Sequence, residues 1–112
     1  MLRNLLLALC LLSFSGLVDA EGKWHTANIK RVYPLADGGF VITFVTNSSH
    51  CPSGGAEKYH YVRDGKFGVT QKGVDKMYGL ALAAAAQGKK LNVYFDSSVN
   101  SCDVNRMSTV YN

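Results

Sequence analysis

The segment Phe40-Val41-Ile42-Thr43-Phe44-Val45-Thr46 is β-branched or aromatic at every position. Such side chains lose rotamer freedom in a helix and pack well on a pleated surface, so the fold must be built around this strand. Phe40, Ile42 and Phe44 fall on one face, and Val41, Thr43 and Val45 on the other. Both faces are apolar enough to predict that both are covered. Just before it, Ala36-Asp37-Gly38-Gly39 supplies the positive φ that a tight hairpin needs. The turn joins the strand to an extended stretch, Lys23 to Leu35, carrying Trp24, Ala27, Ile29, Val32 and Tyr33.

The remaining elements follow from periodicity. Asn47 to Glu57 is a polar loop with Pro52, Gly54 and Gly55 around Cys51, and Lys58 to Val62 reads as a short third strand. Arg63-Asp64-Gly65-Lys66 is another turn. Thr70 is placed to cap a helix in which Val74, Met77, Ala81, Ala84 and Ala85 recur at helical spacing. Gly88 ends it as the left-handed residue, with Lys89 and Lys90 beside the negative end of the helix dipole. Leu91 to Asp96 alternates with Leu91, Val93 and Phe95 inward, and Val104 to Tyr111 closes the chain as a last strand. The order is strand, strand, strand, helix, strand, strand, with no internal repeat or linker. Residues 21–112 therefore read as one mostly-β domain with one helix. A five-stranded Greek-key barrel of the oligonucleotide/oligosaccharide-binding (OB) type has its helix between strands three and four. A generic α+β sandwich has the same element order, and pattern alone leaves the two even.

Residues 1–20 read as a secretory signal. Arg3 precedes an apolar stretch from Leu5 to about Leu17, and Val18-Asp19-Ala20 follows with small residues at the cleavage positions. The stretch is shorter than the ~20 residues that span a bilayer, and Ser13, Ser15 and Gly16 interrupt it. No membrane span is expected after processing. Cleavage after Ala20 leaves 92 residues and removes Cys10, so three cysteines become one pair, Cys51 and Cys102. In an oxidising compartment that pair favours a disulfide. Two buried free thiols are the alternative, although the polar, turn-like flanks of both residues argue against burial. A bridge would tie the loop after strand two to the loop between strands four and five. It would close about 50 residues and stabilise the fold by about 4 kcal/mol on the chain-entropy model.

With 47% hydrophobic and 18% charged residues the chain is not disordered. Its net charge of +4 survives processing. The basic residues are scattered and export removes the chain from intracellular nucleic acid, so no nucleic-acid partner is expected. Anionic surfaces or acidic glycans fit the charge better. No nucleophile elbow, HExxH, CxxC, phosphate loop or EF-hand loop is present, and no pair among His25, His50 and His60 has metal-ligand spacing. Neither a metal nor a cofactor is expected, and the chain reads as a non-enzyme. A small hydrolase would have to use His60 with a loop Ser, although a surface or barrel-face role suits a mid-strand His better. Asn47-Ser48-Ser49 matches a glycosylation acceptor.

The aromatic residues are the candidate binding groups. Trp24, Tyr33, Tyr61 and Tyr94 offer a flat apolar face with a polar tip, which suits sugars and protein partners, though most tyrosines of such a domain simply cover its barrel. The helix is unusual in carrying no charge between Lys76 and Lys89. A surface helix normally presents charge outward, so Gly79, Ala83 and Ala86 are candidate contacts with a neighbouring subunit, as in a ring with helices side by side.

Taken together, the leader, the short OB-like domain, Cys51 after strand two, the Ala-rich helix running into Gly88-Lys89, the strand Leu91-Asn92-Val93-Tyr94-Phe95-Asp96 and the late Cys102 resemble the B-subunit-like proteins related to the subtilase cytotoxin B subunit. The resemblance spans about Gly22 to Tyr111. It implies a secreted or periplasmic bacterial protein that binds a cell-surface glycan or a protein partner without catalysis. It also implies assembly into a pentameric ring of OB-fold subunits and an exported enzymatic A-type subunit as partner. The competing reading is a periplasmic structural or inhibitory protein that binds another protein and has no glycan site.

Overall fold

Strand β1 (Gly22–Pro34) is thirteen residues long and serves two neighbours in succession. Its first half, Gly22 to Asn28, pairs antiparallel with β4 (Lys90–Asp96), and its second half, Ile29 to Pro34, pairs with β2 (Phe40–Phe44). The register shifts between Ile29 and Arg31, the kind of irregularity that bends a strand and raises its twist. Strand β3 (His60–Val62) joins the far side of β2, and β5 (Val104–Thr109) the far side of β4. The result is one antiparallel sheet of order β3-β2-β1-β4-β5. The computed structural model describes residues 21–111, so the leader expected over 1–20 lies outside the described residues.

The two ends of the sheet meet at a seam tied in three ways. The Tyr61 N–H donates to the Ser101 carbonyl at 3.2 Å. The Arg63 guanidinium donates to Asp103 Oδ1 at 3.1 Å. Cys51 and Cys102 form a disulfide with Cα atoms 5.8 Å apart. The bridge joins the two loops that the sequence predicts, and both cysteines are buried, against the expectation from their polar flanks. Closure turns the sheet into a partly open barrel, the OB-like arrangement rather than a sandwich.

Alternation decides what fills it. Phe40, Ile42, Phe44, Val62, Leu91, Val93, Phe95 and Val104 point into one core, as the period of two requires. Strand β2 is buried on both faces. Its outward Val41 stands in register between Tyr33 and Tyr61, and Glu57 reaches back over the outward Thr43. The strand ends at Phe44, two residues early, and Val45 is 67% exposed. Strand β3 begins at His60 instead of Lys58, because the 45–59 loop leaves the sheet to reach Cys51.

Helix α1 (Gln71–Ala86) follows β3 and precedes β4 in the chain, and it packs against β1, β4 and β5. Thr70 caps it by accepting from the Gly73 N–H. Gly88, at φ +65°, ends it: the Gly88 N–H bonds Ala85 O and the Lys89 N–H bonds Ala84 O, the paired bonds of a Schellman turn. Val74, Ala81 and Ala84 are buried against the strands, with Met77, Tyr78 and Leu80 half-buried beside them. Ala85, expected on that face, is exposed, since a 100° step carries it past the contact. Among the described residues no helix is long and apolar enough to cross a membrane.

Candidate functional site

The outer face of β1, β4 and β5 carries three consecutive rows of opposed side chains. Trp24 faces Tyr94 and Tyr94 faces Arg106; Thr26 faces Asn92 and Asn92 faces Ser108; Asn28 faces Lys90. All lie opposite the inward Leu91, Val93 and Phe95, so one alternation produces both core and site.

The first row is aromatic. The Trp24 and Tyr94 rings lie 5.0 Å apart between centroids, tilted by 55°, within the range of favourable aromatic pairs. The Arg106 guanidinium sits 4.9 Å from the Tyr94 centroid, a cation–π contact. Phe67, from the turn after β3, lies nearly parallel to Tyr94 at 5.9 Å. Trp24 remains 50% exposed and offers a flat apolar surface to solvent.

The second and third rows line a groove of about 410 Å³, bounded by Thr26, Asn28, Gly88, Lys89, Lys90, Asn92, Ser108 and Val110. Thr26 Oγ1 donates to Asn92 Oδ1 at 2.7 Å, which uses the acceptor of Asn92 and leaves its amide hydrogens for a ligand. Asn28 Nδ2 donates to the Gly88 carbonyl at 3.2 Å and fixes the helix-ending turn as one wall. The groove thus offers hydroxyl, amide and ammonium groups beside an aromatic shelf.

The other sequence-predicted residues fall elsewhere. Tyr33 and Tyr61 flank Val41 on the outer face of β2, across the barrel bend from Trp24 and Tyr94. Burial raises the Tyr33 pKa, and the nearby Tyr59, Tyr61 and Glu57 push it the same way, against Arg31. Glu57 bridges Lys30 and Arg31, both at 3.5 Å. Its partial burial raises the pKa, but the Thr43 hydroxyl, Arg31 and Lys30 outweigh it and hold the carboxyl below its ordinary value. Arg63 lies 4.7 Å from the Tyr61 centroid. These groups pack together over β2, held by the ion pairs of Glu57 and the Arg63–Tyr61 contact, although Thr43 Oγ1 and Arg63 Nε lack hydrogen-bond partners. Asn47, the acceptor-motif residue, spends its side chain on the 45–59 loop, donating to Ala56 O and accepting from the Lys58 N–H. Of the helix candidates, Gly79 and Ala86 are exposed and Ala83 is half-buried.

His60 is not on the surface. Its register with Ile42 turns it inward, where it is fully buried between Phe44 and Phe95, at 5.3 and 4.7 Å. Neither ring nitrogen has a hydrogen-bond partner, so no Ser hydroxyl or carboxylate is poised on it and the hydrolase pairing is not formed. Burial, then the neighbouring His25, lowers its pKa to about 4; the Cys102 backbone opposes the shift without reaching hydrogen-bonding geometry. Among the described residues no three His, Cys, Asp or Glu side chains are grouped to hold a metal ion.

Of the four aromatic candidates in the sequence, the structure brings Trp24 and Tyr94 together on this face, beside Thr26, Asn28, Asn92, Ser108, Arg106 and Phe67, which the sequence pattern does not single out. The alternation on β4 already places Asn92 with Tyr94. What it lacks is the neighbouring strands, which only the pairing supplies.

No protein-family model matches the chain, and no curated protein matches it in sequence. Its fold does match solved structures. One is the crystal structure of human heat-labile enterotoxin in complex with a blood group A antigen analog, at TM-score 0.58 and 12% identity, covering 80% of this chain and 86% of that one. The likeness establishes an OB-like, toxin B-subunit-like fold.

Proposed function

We propose that this chain is an exported, non-catalytic binding protein of the toxin B-subunit type and that it takes a glycan on the outer face of β1, β4 and β5. The observation that carries the reading is the half-exposed Trp24, paired with Tyr94 at 5.0 Å and adjoining the polar groove on the same sheet face. A sugar presents C–H faces and hydroxyls on one small body, and an aromatic shelf beside fixed amides and hydroxyls complements both. A glycan bound to a protein of the same fold supports the reading. The disulfide suits a secreted or periplasmic site, and the leader expected over residues 1–20 fits that destination.

The finer parts of the reading rest on resemblance. Within the toxin B-subunit type, the subtilase cytotoxin B-subunit-like proteins are the group proposed. Self-association into a ring would use the uncharged outer side of α1 around Gly79, Ala83 and Ala86, where Leu82 is also exposed. An exported A-type subunit would be the further partner.

Trp24 is the only tryptophan of the chain, so its emission reports on the site directly. Folded, disulfide-intact protein is to be screened on a glycan array and titrated with a blood group A antigen analog and with the array hits. Saturable binding with a change in Trp24 emission is expected. A sample that binds no glycan and leaves Trp24 emission unchanged sinks the reading in favour of a protein-only partner.

A further inference from the structure

The turn that follows β3 holds a residue in a costly conformation. Phe67 has φ +51°, in the left-handed region that bulky L-residues avoid. Its neighbours Gly65 and Gly68 also have positive φ, but glycine takes such values freely. Both ends of the turn are anchored in the core by Val62 and Val69. Three backbone bonds fold it tightly: Lys66 N–H to Arg63 O, Val69 N–H to Lys66 O and Gly65 N–H to Val69 O. Strain at one residue persists where the surroundings over-determine it, and it concentrates at functional surfaces.

The surroundings here converge on one ring. Asn105 uses both ends of its side-chain amide: Nδ2 donates to the Phe67 carbonyl at 2.7 Å, and Oδ1 accepts from Arg106 Nε at 3.0 Å. The two residues so held are the ones that pack on Tyr94, Phe67 by parallel stacking and Arg106 by its guanidinium. On the remaining side Gly22 makes room, since a Cβ there would fall 1.7 Å from Tyr94 Oη.

We propose that the turn Arg63–Val69 is a built-in clamp of the binding face, in which Phe67 and Asn105 are positioning residues that lock Tyr94 against Trp24 before any ligand arrives. The proposal rests on the glycan-binding reading of this face. A shelf ordered in advance loses less conformational freedom on binding, which is how a ring that need not touch the sugar raises affinity.

The test compares Phe67→Gly, Phe67→Ala and Phe67→Tyr. Glycine and alanine remove the ring alike, but only glycine relieves the φ strain. The glycine variant should melt roughly 4–8 °C above the alanine variant. Both should bind glycan about threefold to tenfold more weakly than the wild type and by the same factor, while the tyrosine variant binds as the wild type does. In both ring-less variants acrylamide should quench Trp24 more readily without any sugar present. Affinity that tracks melting temperature, or quenching unchanged in both, overturns the clamp. If the wild type binds no glycan, the glycan reading fails, and ligand-free quenching still decides whether Phe67 orders the shelf.

Discussion

The imidazole of His60 lies parallel to that of His25, with planes 2° apart and centroids separated by 6.3 Å, inside a barrel that gives His60 no hydrogen bond. His25 has an outlet, since its Nε2 lies 2.7 Å from the Thr46 carbonyl. His60 has none, and a proton on it would be a buried, unpaired charge facing a second imidazole.

The pH dependence follows. The folded-state pKa of His60 is depressed to about 4, below its ordinary 6.5. The unfolded chain therefore takes up the proton first as pH falls. The stability that His60 contributes is complete above about pH 6.5 and is lost progressively towards pH 4, about 3 kcal/mol in all. Urea unfolding at pH 7, 5.5 and 4 should show this decline, and His60→Phe should flatten it. An equally steep decline in the variant would assign the effect to other groups.

The disulfide spans 51 residues of sequence and ties the barrel seam. Replacing Cys51 and Cys102 together by Ser should cost about 2–5 kcal/mol and lower the melting temperature by more than roughly 10 °C. An unchanged Tm in the double variant would mean that the hydrogen bond and ion pair of the seam suffice.

Gly22 clears the space occupied by the Tyr94 hydroxyl. Gly22→Ala should leave the barrel folded, because the clashing atoms are the far end of a rotatable side chain, and should swing Tyr94 off Trp24. The expected readout is a shifted Trp24 emission with far-UV circular dichroism unchanged. Emission identical to wild type would show that the ring finds room without leaving Trp24.

Trp24→Ala should weaken glycan binding roughly twofold to tenfold with little effect on the fold, since the residue is half exposed and an aromatic contact is worth roughly 0.5–1.5 kcal/mol. Tyr33→Ala, on the other patch, should leave binding unchanged. Equal losses in the two variants would place the site elsewhere.

The ring is tested by static light scattering. A mass several times that of the monomer is expected at micromolar concentration, and Ala86→Glu should reduce it by placing charge on the exposed helix side. A monomeric wild type removes the helix contact.

Much of this molecule is legible along the chain because its causes are local. The β-branched run at Phe40–Phe44, the Asp37-Gly38-Gly39 turn, the Thr70 cap, the Gly88 stop and the inward triplet Leu91, Val93 and Phe95 each follow from the conformational preference of a few adjacent residues. The cysteine pair follows from counting after an expected cleavage. The division of the four candidate aromatics does not. Period two says that Tyr94 points away from the buried Val93 and Phe95, and Trp24 away from the half-buried His25 and the buried Ala27. Only the pairing of β1 with β4 sets the two aromatics face to face, and only the register shift after Ile29, with the pairing to β2, turns Tyr33 outward beside Val41 on a different part of the surface. His60 sits between two tyrosines in sequence and looks like a surface residue until its register with Ile42 turns it into the core. Phe67 gives no periodic signal, and its role depends on Asn105, thirty-eight residues away. The sequence by itself determined the elements and their inward faces, because those are short-range properties. The tertiary structure alone decided which outward faces meet, because strand neighbours are chosen by closing the barrel over one shared core.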